Sequence, residues 1–177
     1  MTDHMGKTFL ITRTAAFIAL LVVLQAATAP LGNTILTGTL VNALLVVSVR
    51  LCGIWSGGFA AILSPVMAKI VGIGPLWSLI PFIALGNMTF VLVWHFPWKG
   101  LPGPGYLKEI LSLTVAASAK FAVLYLGIVR LAVPLLLKLP QPQAAVVSGM
   151  FSLPQLVTAL LGGAVALPIL GALKKWR

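Results

Sequence analysis

Lys120 is the residue of this chain with the sharpest chemical question attached to it. It lies about ten residues from either end of the apolar stretch 110–133. A charge at that depth of a bilayer costs about 2.5–3.5 kcal/mol on insertion scales, so something must compensate it. No carboxylate is placed to do so. The chain has two acidic residues, Asp3 in the N-terminal tail and Glu109 beside Lys108, and neither lies inside an apolar stretch. The apolar stretches offer carboxamides and hydroxyls instead: Gln25, Asn42, Asn87 and Gln155, with Thr114 and Ser118 nearby. Amides in hydrocarbon must find partners. A shared polar cavity at central to outer depth, with Lys120 as a cation awaiting an anionic group, is the economical arrangement. The alternatives are a lysine that snorkels or sits deprotonated and amides that each join one pair of helices.

Other chemistry finds little footing. There are no paired carboxylates for acid–base work, and no G-x-x-x-x-G-K-[ST] or G-x-G-x-x-G motif to cradle phosphates. The expectation is therefore a protein that is not itself an enzyme, has no catalytic residues, and hydrolyses no ATP. A small transferase using Lys99, Lys108 and His95 at the inner interface is the enzymatic alternative. Without a carboxylate inside an apolar stretch, proton coupling is also disfavoured. One cysteine, Cys52, permits neither an internal disulfide nor a multi-cysteine metal site. His95, in Trp94-His95-Phe96-Pro97, reads as an interfacial histidine, and no metal site is expected.

The elements that must position these residues are helices in lipid. The chain is 60% hydrophobic with 8% charged residues and a mean hydropathy of +1.10, too little charge to coat a soluble fold. Six apolar stretches, roughly 11–29, 36–52, 57–73, 78–96, 110–133 and 146–173, approach or meet the length of a spanning helix. The stretch 57–73 is marginal, and a re-entrant segment there would leave five spans. Two-residue alternation is absent, which argues against a barrel. The predicted fold is an all-α integral membrane protein, one six-helix domain over 1–177 with a tail at 1–10. Met5 is an alternative start. Arg13, an apolar run and Ala27-Thr28-Ala29 imitate a signal peptide, but Pro30 suits a cleavage site poorly, so the first helix is expected to be retained.

The net charge of +10 follows the positive-inside rule better than it fits nucleic-acid binding. With a cytoplasmic N-terminus, the inner side holds Lys7, Arg13, Arg50, Lys99, Lys108, Lys174, Lys175 and Arg177, against Lys69, Arg130 and Lys138 outside. Both termini are thus expected in the cytoplasm. Punctuation residues mark turns at 30–33, 53–58, 72–75, 97–105 and 134–143. Trp77, Trp94, Trp98 and Trp176 fall near span ends as interfacial anchors, and Trp77 is also a candidate ligand contact because it caps an outer loop. Small residues recur at packing distance in Ala15-x-x-x-Ala19 and in Gly162, Gly163 and Ala166, suited to contacts within the chain or with a partner.

The chain resembles the substrate-binding S components of energy-coupling factor (ECF) vitamin transporters over nearly its whole length. The resemblance rests on Ala15-x-x-x-Ala19 and on Leu40-Val41-Asn42-Ala43-Leu44-Leu45. It rests also on Ile80-Pro81-Phe82-Ile83-Ala84-Leu85-Gly86-Asn87 and Leu153-Pro154-Gln155-Leu156-Val157-Thr158-Ala159-Leu160-Leu161-Gly162-Gly163. It implies a multi-pass subunit of a prokaryotic plasma membrane that binds one micronutrient in an outward pocket. Lys120, Asn42, Asn87, Gln155, Gln25 and Trp77 are the expected substrate contacts. The resemblance further implies docking through Ala15 and Ala19 onto a membrane coupling protein (the T component) driven by two cytoplasmic ATPases. Lys120 favours a substrate with a carboxylate or phosphate. Pantothenate, a vitamin B6 form or another acid-bearing precursor stays open. Haem is conceivable, although His95 lies poorly for axial ligation, and no covalently bound cofactor is expected.

Overall fold

In lipid every backbone N–H and C=O must be satisfied within the chain, which leaves helix as the economical solution for this sequence. The computed structural model describes residues 2–96 and 105–174, the side chains of 2–7 and 174 excepted, and no described residue is in a strand. The expected inner loop with Trp98 and Lys99 lies outside the described residues between 97 and 104, as do Lys175, Trp176 and Arg177. Helix α1 is Thr2–Thr28, followed by a 3-10 turn Ala29–Leu31 and α2, Thr34–Ile70. A second 3-10 turn, Trp77–Leu79, leads into α3, Ile80–His95. Helix α4, Gly105–Leu124, runs on into a π-type tract Tyr125–Leu137; α5 is Gln141–Met150 and α6 is Leu153–Lys174. Among the described residues, five helical tracts are long and apolar enough to cross a membrane: Thr8–Leu31, Thr34–Ile70, Trp77–His95, Gly105–Leu137 and Gln141–Leu173.

The second of these tracts is a hairpin rather than a rod. Gly53 has φ 85° and ψ 177°, a conformation open essentially to glycine alone. A Cβ on Gly57 would lie 3.3 Å from the Val49 Cα, whereas eight residues of straight helix span about 12 Å. Asn42 and Ser64 line the same cavity. The pairs 49/57 and 42/64 are both centred on residue 53, as they must be when two antiparallel arms meet there. The turn expected over 53–58 is therefore made at one glycine, and helix resumes at once. Two other boundaries differ from expectation. The loop expected over 134–143 shrinks to 138–140, because helical winding continues through Pro134 to Leu137. The expected span 146–173 is broken at Phe151 and Ser152, just ahead of Pro154.

Helix α2 is the hub. It packs against α1, α3 and α6, and α4 closes a ring by touching both α3 and α6. Glycines set the closest approach. A Cβ on Gly162 would meet Asn42 Cβ at 2.5 Å, Thr39 O at 2.8 Å and Ala43 N at 2.9 Å, so α6 lies directly on the backbone of α2. A Cβ on Gly163 would run into the Leu113 side chain of α4. The small-residue set of α6 thus serves packing within the chain. Ala15 and Ala19, in contrast, are exposed on α1. Leu21, Leu45, Phe90 and Leu113 form part of one buried core. Large exposed side chains such as Val23, Phe59, Leu85 and Leu126 cover the perimeter, as suits a surface solvated by hydrocarbon.

Candidate functional site

The ring formed by α2, α3, α4 and α6 encloses a cavity of about 310 Å³, at the small end of the range for small-molecule sites. Its rim is built from the helix ends near Ala29, Asn33, Ile73 to Pro75 and Phe151. Asn42 lies eight residues into α2 and Asn87 seven into α3, so the polar wall is about 10–12 Å from those helix ends. Core residues Leu45 and Phe90 follow about one turn farther from the rim.

Lys120 is on that wall and 3% exposed. Its Nζ donates to Asn42 Oδ1 at 2.6 Å and to Asn87 Oδ1 at 2.7 Å. These are short, as expected when the donor carries charge. The Phe90 ring adds a face 5.6 Å from Nζ, within cation–π range. Because an ammonium only donates, both asparagines must turn their oxygens to it and their Nδ2 groups away. Asn42 Nδ2 accordingly donates to Thr158 Oγ1 at 3.4 Å, and Thr158 Oγ1 donates to Gln155 O at 3.2 Å. Asn87 Nδ2 donates to Ala61 O at 3.5 Å.

That last acceptor is available for a local reason. Residue 65 is proline, which has no N–H to give to the carbonyl four residues earlier. The carbonyl so released is that of Ala61, and Asn87 takes it. A helix defect written into the sequence as Ser64-Pro65 thereby orients the amide that holds the lysine. Sequence reasoning missed both residues. The signal was present: a proline interior to an apolar stretch frees a carbonyl at a known offset.

Ser64 was also missed. It is 1% exposed, lines the cavity, and its Oγ has no hydrogen-bond partner among the described residues. It stands one turn from Ala61, hence beside the Asn87 amide.

Of the residues expected to share a site, the structure brings Lys120, Asn42, Asn87, Gln25 and Gln155 to one cavity. Gln25 Nε2 donates to Leu21 O at 3.1 Å and Gln155 Nε2 to Met150 O at 3.1 Å. Their Oε1 atoms are left for other partners. Trp77 is not in the lining and is 55% exposed in its 3-10 turn; a side chain there serves as an anchor at the helix end. Thr114 and Ser118 are exposed on the far side of α4, and Thr114 Oγ1 returns its proton to Ile110 O. His95 contacts Phe96 at the end of α3 away from the rim, and the lining contains no histidine. Among the described residues no group of three His, Cys, Asp or Glu could hold a metal ion.

The arrangement can present one cation and several neutral polar groups to a small solute in a pocket open at its rim. Among the described residues the lining holds no histidine, cysteine or carboxylate. No protein family matches the chain, and neither a curated protein nor a solved structure matches it.

Proposed function

We infer that this chain is a membrane-embedded solute-capture subunit, of the kind the S components of energy-coupling factor transporters represent. It takes a small anionic micronutrient from outside and delivers it when docked on an ATP-driven coupling module. The observation that carries this reading is Lys120: a cation in the wall of a 310 Å³ cavity, held by two neutral oxygens and by no carboxylate. A purely structural cation would be expected to sit in a sealed network, not on a cavity wall.

Counting the two arms of the Gly53 hairpin separately gives six crossings. The arms, 34–52 and 54–70, reach about 28 and 25 Å at 1.5 Å per residue, close to the roughly 30 Å hydrocarbon core. Six crossings put both termini in the cytoplasm and the rim outside, in accord with the lysine and arginine bias. The exposed Ala15 and Ala19 form a small-residue face on α1 suited to close approach by a coupling-protein helix. ATP hydrolysis then belongs to two partner ATPases.

The test is native mass spectrometry of the detergent-purified protein, which should show a retained small molecule. Lys120→Met should weaken its binding by about 1.5–3 kcal/mol, the scale of a charged hydrogen bond. Ala15→Trp with Ala19→Trp should remove co-purifying coupling protein and ATPases without altering retention. A competing reading draws on the short bonds from Lys120 to both amides: the polar cluster only locks helices together. It requires that no solute be retained.

A further inference from the structure

The cavity's charge and the placement of its unspent polar atoms say more about what it accepts; this inference rests on the capture reading above. Among the described residues, Lys120 is the sole charged one in the lining. An ammonium has three protons, and two are committed to Asn42 and Asn87. One remains to donate. Ser64 lines the same space and supplies a second donor, since its buried Oγ has no hydrogen-bond partner among the described residues. Serine in a helix commonly bonds the carbonyl one turn back, and this one does not. The chain Lys120–Asn87–Ala61 ties the two donors to one wall of the cavity, because Asn87 bridges the lysine to Ala61 and Ser64 is the next turn of that arm.

Two donors and a single positive charge match a carboxylate. A group of charge −1 makes the site neutral. A phosphate or dicarboxylate would leave excess negative charge in a medium of low dielectric, where uncompensated charge is costly. The lining also carries acceptors nearer the rim, Gln25 Oε1 and Gln155 Oε1, whose amide nitrogens are already engaged. Gln155 is three residues before Thr158, which is level with Asn42. Gln25 is placed at a similar height by the hydrogen bond from Thr37 to Thr28. By rise per residue, Gln155 is about 4–5 Å and Gln25 about 3 Å nearer the rim than Asn42, which holds the lysine.

We propose that the cavity binds a small monocarboxylate, its carboxylate bridging Lys120 Nζ and Ser64 Oγ, with an amide N–H or hydroxyl about 3–5 Å nearer the rim donating to Gln25 or Gln155. Ser64 is then a specificity-determining contact of the site.

The experiment uses the full chain in nanodiscs and follows thermal shift and equilibrium binding with matched probes. The carboxylate probes are N-butyryl-β-alanine and pantothenate. Each is compared with its primary amide and with the analogue in which a phosphonate replaces the carboxylate. Carboxylates should stabilise the protein, while the amides and phosphonates should bind at least about ten-fold more weakly, as loss or mismatch of a charged hydrogen bond implies. Ser64→Ala should lower carboxylate affinity roughly ten-fold and leave the amides unchanged. Ser64→Thr, which keeps the hydroxyl, should retain most of it and guards against a variant that fails to fold. Preference for a phosphonate or amide, no response to either carboxylate, or equal affinity in Ser64→Ala overturns the proposal. A dianionic or neutral compound found by native mass spectrometry would also overturn it while sparing solute capture; an empty protein would end both.

Discussion

The lysine–amide cluster makes a prediction whose sign, not only its size, is informative. Replacing Asn42 and Asn87 by leucine in the native chain strips Lys120 of both acceptors and leaves a buried ammonium unpaired, at a cost of about 3–5 kcal/mol. In a Lys120→Met background the same two substitutions should stabilise. There the amide oxygens are already orphaned, each costing about 1–3 kcal/mol, and leucine has nearly the shape of asparagine without its polarity. The bonds given up in exchange are long, 3.4 Å to Thr158 and 3.5 Å to Ala61, and so offset little. Asn42→Leu/Asn87→Leu should therefore lose about 3 kcal/mol or more with lysine present and gain about 2 kcal/mol or more with methionine present. Unfolding in mixed micelles, followed by tryptophan fluorescence and analysed as a double-mutant cycle, measures the coupling. Equal signs in the two backgrounds would refute the idea that these amides exist to hold the ammonium.

Four further outcomes follow from particular contacts. Gly162→Leu places a side chain where even a Cβ is 2.5 Å from Asn42 Cβ; α6 must separate from α2, and no folded protein should elute by size exclusion. Gly53→Ala forces alanine into a backbone region open to glycine and should cost about 1–3 kcal/mol by chemical unfolding. Pro65→Ala returns an N–H to the Ala61 carbonyl, so the melting temperature should rise while affinity for the carboxylate probes falls several-fold, because Asn87 now competes for its acceptor. Glu109→Gln removes the 2.9 Å ion pair with Arg50, whose side chains are 45% and 34% exposed; its effect on melting should stay below about 1 kcal/mol.

What the sequence revealed of this site, and what it withheld, divides along a physical line. Burying a lysine among apolar residues with no carboxylate is a global constraint, and composition alone exposes it. So does the demand that Asn42 and Asn87 find partners. The convergence of these three side chains follows from the cost of leaving any of them alone. The glycine-rich reversal near residue 53 was legible for a similar reason, since a chain rich in apolar residues must turn somewhere. What remained hidden depends on register. The sequence names Ser64 and Pro65 but does not say that the second arm of the hairpin turns Ser64 inward, or that the carbonyl freed by Pro65 faces α3. Trp77 shows the converse: residue type and position near a loop suggested a contact, whereas its 3-10 turn leaves it exposed and outside the cavity lining. Continuation of helix through Pro134 was likewise invisible to punctuation rules, because a wider π-type winding accommodates what an α-helix would reject. The polar wall is thus assembled by two kinds of cause. The lysine and asparagines are drawn together by desolvation, which any arrangement of these helices must satisfy. Their orientation is imposed by one helix defect, and this makes Pro65 the position where stability and binding should move in opposite directions.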